Sequence, residues 1–258
     1  MATAPLNDST GFSRLIYQEF ADLGGAFLSY ENSNLWALKS GIENPYFNFL
    51  LIKNQNSFEC EKAVSFFESL PFECTIERNN LFLIQKLKED GLTFGENTTR
   101  MILNLNDFDI NSLPTPKISI KEAKSETDIR HWINVTALSF RLSKSYIKKF
   151  FYPLFISSHK KFKVSLCFFE NVPVAASLLF LAPPYATIFA LSTRPQFRKL
   201  GLAYHLLQRE LTIAKDMNVL HCTVQATSLG QAVYKRLGFN VTQELTTFIF
   251  EPSKKKMI

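Results

Sequence analysis

The stretch from Tyr185 to Ala214 constrains this chain more than any other. Tyr185-Ala-Thr-Ile-Phe-Ala-Leu-Ser192 carries no charge and is rich in strand formers, so it reads as a buried strand. Pro195 ends any ladder, because proline has no N–H to donate. Arg198-Lys199-Leu200-Gly201-Leu202-Ala203 follows. From there Ala203, Leu206, Leu207, Leu211 and Ala214 recur at helical spacing. Arg198-x-x-Gly201-x-Ala203 is thus a strand-to-helix turn, the joint of an α/β layer fold.

Such a turn has a chemical use. The first amides of a helix lack internal acceptors and carry partial positive charge. A pyrophosphate can rest on them if nothing blocks its approach. Gly201 removes a side chain at that point, Ala203 is small, and Arg198 and Lys199 add attraction.

The rest of the 258-residue sequence limits the alternatives. Its 46% hydrophobic and 20% charged residues describe a globular chain with a core, long enough for two domains. The net charge of +6 is spread over Lys144–Lys163 and Lys254–Lys256 and reads as solvated faces. No aromatic-basic interleaving points to nucleic acid. Cys60, Cys74, Cys167 and Cys222 fit no metal-ligand spacing and read as buried, reduced thiols of a cytoplasmic protein. The N-terminus does not resemble a signal peptide. Val172 to Leu191 is uncharged and long enough to span a bilayer, but Pro183-Pro184 divides it into two strand-like runs, so a hairpin is expected and no membrane span.

In chain order, a helix is expected over Gly11–Leu23, and strands over Leu35–Leu38 and Tyr46–Ile52. Asn56-x-x-Glu59 has the spacing of a capping box and predicts a helix to Leu70, stopped by Pro71. A strand over Phe72–Ile76, a helix over Asn80–Asp90 and a strand over Thr98–Leu105 complete this half. Leu113-Pro-Thr-Pro116 reads as a stiff connector between domains 1–113 and 117–258. Beyond it come a strand at Ile118–Ile120 and a helix opened by Ser125-x-x-Asp128. A helix over Ser143–Ile156 and strands over Phe162–Phe169, Val174–Leu181 and Tyr185–Ser192 lead to the central turn and its helix. A strand over Val219–Gln225, a helix over Ser228–Leu237 and a final strand split into Phe239–Val241 and Thr246–Phe250 close the order. This is an α/β (α+β) arrangement: a mixed central sheet flanked by helices.

A second motif, Ala226-Thr-Ser-Leu-Gly230-Gln-Ala-Val-Tyr234-Lys-Arg-Leu-Gly238-Phe239, follows the first after a strand. The pair, in this order and spacing, resembles the GNAT superfamily of acyl-CoA-dependent acyltransferases across about Lys117 to Phe250. Leu35-Trp-Ala-Leu-Lys-Ser-Gly41 and Asn44-Pro-Tyr-Phe-Asn48 resemble the degenerate first domain of two-domain members. No Arg-x-x-Gly-x-Gly/Ala turn occurs there, so that GNAT-like half is expected to hold no CoA.

The resemblance implies an N-acetyltransferase that uses acetyl-CoA as cosubstrate, needs no metal, and acts on a small-molecule or peptide amine by direct attack. It implies that the amides of Phe197, Arg198, Lys199, Leu200, Gly201, Leu202 and Ala203 hold the pyrophosphate. The backbone of Leu191, Ser192 and Thr193 would pair with the pantetheine arm and polarise the thioester carbonyl. Tyr234 matches the tyrosine that protonates the departing thiolate. The strand before the loop lacks the acidic residue many relatives carry as base, and Thr227 and Ser228 stand where many have Asn. His221 reads as structural, and His205 as either close to phosphate or exposed. The missing base leaves a second class open: a CoA-binding sensor or interaction scaffold without turnover.

Overall fold

The computed structural model describes residues 11–23, 27–109, 117–157 and 161–252. The chain divides into two compact units: Met1–Thr98 with Gln243–Ile258, and Thr99–Thr242. Both divisions fall inside strands. The connector expected at Leu113–Pro116 lies outside the described residues.

The first unit begins with α1 (Gly11–Asp22), β1 (Leu28–Glu31), β2 (Leu35–Lys39) and β3 (Phe49–Ile52). It continues with α2 (Cys60–Phe67), β4 (Phe72–Glu77), α3 (Leu81–Glu89) and the start of β5 (Thr93–Asn104). Strand β1 was not legible in the sequence. The strand expected from Tyr46 begins at Phe49 because Pro45–Phe47 winds into a 3₁₀ turn, with the Asn44 side chain accepting from the Tyr46 amide. The capping box expected at Asn56 and Glu59 is not formed. The Asn56 amide donates to the Asn54 side chain instead, and α2 starts at Cys60 with no side-chain cap. Phe58, Phe67, Phe72 and Phe248 are fully buried in this unit's core.

The second unit runs β6 (Ile118–Glu122), α4 (Glu126–Phe140), α5 (Lys144–Ile156), β7 (Phe162–Phe169), β8 (Val172–Ala182) and β9 (Tyr185–Thr193). It ends with α6 (Leu202–Asp216), β10 (His221–Thr227), α7 (Gln231–Arg236) and the start of β11 (Asn240–Phe250). The rest of β11 returns to the first unit, pairing antiparallel with β4 from Leu245↔Glu77 to Phe250↔Phe72. β11 is one continuous strand and not the two pieces expected. Gln243 donates to Glu77, and Glu244 pairs with Arg78 at 3.0 Å, so a polar run that reads as a loop is held in the ladder by its partners.

Within the second unit the strand order is β5-β10-β9-β8-β7-β6. Only β9–β10 is parallel among the pairs from β6 to β10. The capping box expected at Ser125 and Asp128 is present in both halves and starts α4. Glu170 and Asn171 both take left-handed φ, as a two-residue hairpin between β7 and β8 requires. Pro183–Pro184, joined by a cis peptide bond, turns β8 into β9, so the uncharged run forms the expected hairpin. No described helix is long and apolar enough to cross a membrane.

Helices α4 and α6 cover opposite faces of this sheet. Trp132 of α4 is fully buried and donates its indole N–H to the Ser177 carbonyl at 3.0 Å. On the α6 side, Ala175, Ser177, Leu179 and Leu181 alternate along β8 and face that helix. The four cysteines are buried and unpaired, as their apolar settings suggested.

Candidate functional site

The site grows from the end of β9. Strands β9 and β10 pair at Tyr185/His221, Ala186/Cys222 and Thr187/Thr223, and then stop pairing. Both continue, to Thr193 and Thr227, without a shared ladder. The cause lies on the other edge of β9. Its register against β8 shifts between Ala176 and Leu178, and Ala190 takes a left-handed φ of 52°. A bulge of this kind bends and twists the strand, here away from β10. The parted edge exposes main-chain groups that an extended ligand arm can pair with. Ser192 is held by a 3.4 Å bond from its hydroxyl to the Ala176 carbonyl; Leu191 packs against the same apolar cluster that buries Tyr234.

Beyond β9 the chain makes the expected turn. The Arg194 amide still donates to Val174 at 2.9 Å; Pro195–Phe197 then winds into a 3₁₀ turn. Lys199 (φ 64°) and Gly201 (φ 76°) are both left-handed, a pattern that turns successive N–H groups to one side. Gly201 is the N-cap of α6 and offers no side-chain acceptor. The first helical bond runs from the His205 amide to the Gly201 carbonyl at 3.2 Å, so the amides of Leu202, Ala203 and Tyr204 have no intrahelical acceptor. They open the 15-residue α6, whose dipole points its positive end at them. Leu202 is buried, while Arg198, Lys199 and Leu200 are exposed. This donor set, uncapped and cationic, fits a pyrophosphate.

Arg198 does something the sequence did not disclose. Its guanidinium donates to two backbone carbonyls, Thr193 at 3.2 Å and Ser139 at 3.1 Å. It therefore ties the loop to the ends of β9 and α4. The His205 ring lies about 4 Å from where a Gly201 Cβ would sit, which places it beside the loop. His221 stacks on Tyr185 at 5.7 Å, at the paired end of β9 and β10.

Tyr234 sits on α7 and is 5% exposed. Its ring meets Phe239 edge-on at 5.5 Å, and a Cβ on Gly230 would come within 3.1 Å of it. Among the described residues its hydroxyl has no hydrogen-bond partner. Burial, and secondarily the Cys222 thiol, push the phenol well above its ordinary value, so it keeps its proton.

Two features escaped the sequence reading. Glu210 is fully buried on α6, accepts from Ser177 at 2.7 Å, and is pushed up chiefly by burial. Its signal was available: a carboxylate on the apolar face defined by Leu206, Leu207 and Ala214. The hydroxyls of Thr187 and Thr223 meet at 2.9 Å where the strands begin to part, a pairing no local pattern announces. No group of three or more His, Cys, Asp or Glu able to hold a metal occurs among the described residues.

Residues 127–239 match the Acetyltransferase (GNAT) family. No curated protein matches the sequence. Among solved structures, the chain is similar to a GCN5-related N-acetyltransferase from Kribbella flavida, with TM-score 0.68 and 14% identity over 96% of this chain and 98% of that one. It is similar to a functionally unknown conserved protein from Staphylococcus epidermidis, with TM-score 0.65 and 14% identity over 90% and 97%. A GCN5-related N-acetyltransferase from Sphaerobacter thermophilus has TM-score 0.62 and 12% identity over 85% and 81%. The match to the Acetyltransferase (GNAT) family thus lies within the second unit, over residues 127–239, and the likeness to the solved structures shows a shared mixed α/β fold.

Proposed function

We propose that the second unit is an N-acetyltransferase that moves an acetyl group from acetyl-CoA to an amine. One observation carries this reading: at a single end of β9, a parted parallel strand pair adjoins an uncapped, glycine-started helix. The cosubstrate supplies an activated thioester. The amides from Phe197 to Ala203 seat its pyrophosphate, and the open edge of β9 at Leu191, Ser192 and Thr193 pairs with its pantetheine arm. The acceptor nitrogen bonds to the acyl carbon as the carbon–sulfur bond breaks. Tyr234 gives its phenolic proton to the departing sulfur. No Asp, Glu or His lies on β9, so the amine enters neutral or is deprotonated through water, and the proton its nitrogen sheds on becoming an amide returns through water to the Tyr234 phenolate.

The first unit takes no part in holding the cosubstrate on this reading, since it has no counterpart of the Arg198–Ala203 turn.

A second reading, a CoA-binding sensor or scaffold without turnover, draws on the same missing base. Release of free thiol from acetyl-CoA, followed across a panel of amines, amino acids and peptides, separates the two. The enzyme reading requires amine-dependent release. Saturable CoA binding with no release for any acceptor class would favour the sensor.

A further inference from the structure

A cavity of about 260 Å³ lies in the second unit beneath α4. His131 and Asn134 of α4 line it, with Lys144 at the start of α5, Pro173 of β8 and Arg194 just after β9. Three cationic or protonatable side chains thus converge on one cavity that no carboxylate lines. None of the three forms an ion pair among the described residues. They come from segments far apart in sequence, so a run of like charge does not explain the cluster.

Arg194 gives the strongest indication. Its Nη1 donates to the Pro173 carbonyl at 3.3 Å, and its guanidinium lies 5.9 Å from the centre of the Phe197 ring. These contacts fix the group, yet its Nε is buried with no acceptor. A buried donor without an acceptor is costly, and a planar guanidinium held this way suits an oxyanion. Lys144 is the first residue of the 13-residue α5, so the positive end of that helix adds to the field. Asn134 can supply a neutral donor.

We infer that this cavity binds a phosphate group. Arg194 opens the loop that leads to Gly201, so an occupant there braces the loop from its start. The phosphate has two possible sources: free inorganic phosphate, or the phosphate on the ribose 3′ position of CoA. The second source rests on the proposed function; the first does not.

The test uses the full chain. Its melting temperature is followed with increasing inorganic phosphate at constant ionic strength, chloride making up the difference. Affinities for CoA and for dephospho-CoA, which lacks the ribose phosphate, are measured alongside. The variants are Arg194→Gln and Lys144→Gln; Lys144 is exposed, so its variant keeps the test decisive if Arg194→Gln folds poorly. If free phosphate is the occupant, it raises the melting temperature saturably. Either variant then weakens that response by about tenfold, the scale of one charge-assisted bond. If the cofactor is the source, wild type prefers CoA over dephospho-CoA by a similar factor, and either variant closes the gap. A chain that binds no form of CoA but responds to phosphate would overturn the proposed function and leave this site standing. The inference fails if wild type shows neither response, or if the responses persist unchanged in the variants.

Discussion

Arg198 reaches the carbonyl of Ser139 across 59 residues of sequence, donating from its guanidinium at 3.1 Å. The same group holds the Thr193 carbonyl at 3.2 Å. Arg198 is therefore a brace between β9, the loop and the end of α4.

This geometry predicts how Arg198 responds to substitution. A lysine keeps the charge but cannot reach two divergent carbonyls with one compact ammonium. If bracing dominates, Arg198→Lys and Arg198→Met weaken CoA binding alike, by about tenfold, the scale of one or two lost hydrogen bonds. The salt dependence of binding should then change little. If Arg198 acts by charge on the pyrophosphate, the lysine variant stays near wild type. Titrations at two ionic strengths distinguish the two roles.

Glu73 gives a pH prediction for the first unit. Burial, then the neighbouring Glu96, push its carboxyl up to about 8. In the unfolded chain such a group ionises near about 4.3. Between those values the native state binds more protons than the unfolded one, so stability falls as pH rises through the window and levels off above it. Urea midpoints from pH 5 to 9 should show that decline. Glu73→Gln should flatten it and raise stability at pH 9. An unchanged slope in the variant would show that Glu73 is not the group responsible.

Tyr234 should act through its hydroxyl alone. Tyr234→Phe keeps the edge-on packing against Phe239 and should leave CoA affinity nearly unchanged. Acyl transfer should slow by about 10- to 1,000-fold, the range of modest general-acid contributions. Because the phenol is held above its ordinary value, wild type should show no fall in rate from its ionisation between about pH 7 and 10. A phenylalanine variant with full turnover, chemistry being rate-limiting, would remove Tyr234 from the proton path.

What the sequence disclosed was what is local. Ser125 and Asp128 cap α4 as read, because both halves of that box lie within one turn. Asn56 and Glu59 have the same spacing but fail, since Asn54 captures the Asn56 amide first. The polar middle of β11 reads as loop until Glu77 and Arg78 are beside it. The same split holds at the site. Arg198 to Ala203 were legible as a helix-opening turn because a strand, a proline and a helical period flank them. The bulge at Ala190 was not, because it depends on the register of β8. The cavity around His131, Lys144 and Arg194 was not, because only the packing of α4 against the sheet assembles it.

The most direct test of the account is a calorimetric titration of acetyl-CoA into the full chain and into Gly201→Glu and Gly201→Asn. Gly201 has a φ of 76°, and the nearest atoms to an added Cβ are about 4 Å away, so backbone conformation and not crowding favours glycine. Asparagine tolerates that conformation better than most residues and should cost about 1 kcal/mol of stability or less. It should leave binding in place. Glutamate sets a negative charge at the opening of α6, where the pyrophosphate is proposed to sit, and should abolish binding while the chain stays folded. Saturable one-site binding by wild type, kept in the asparagine variant and lost in the glutamate variant, is the predicted result. No binding by wild type at millimolar acetyl-CoA, or undiminished binding by Gly201→Glu, would contradict it.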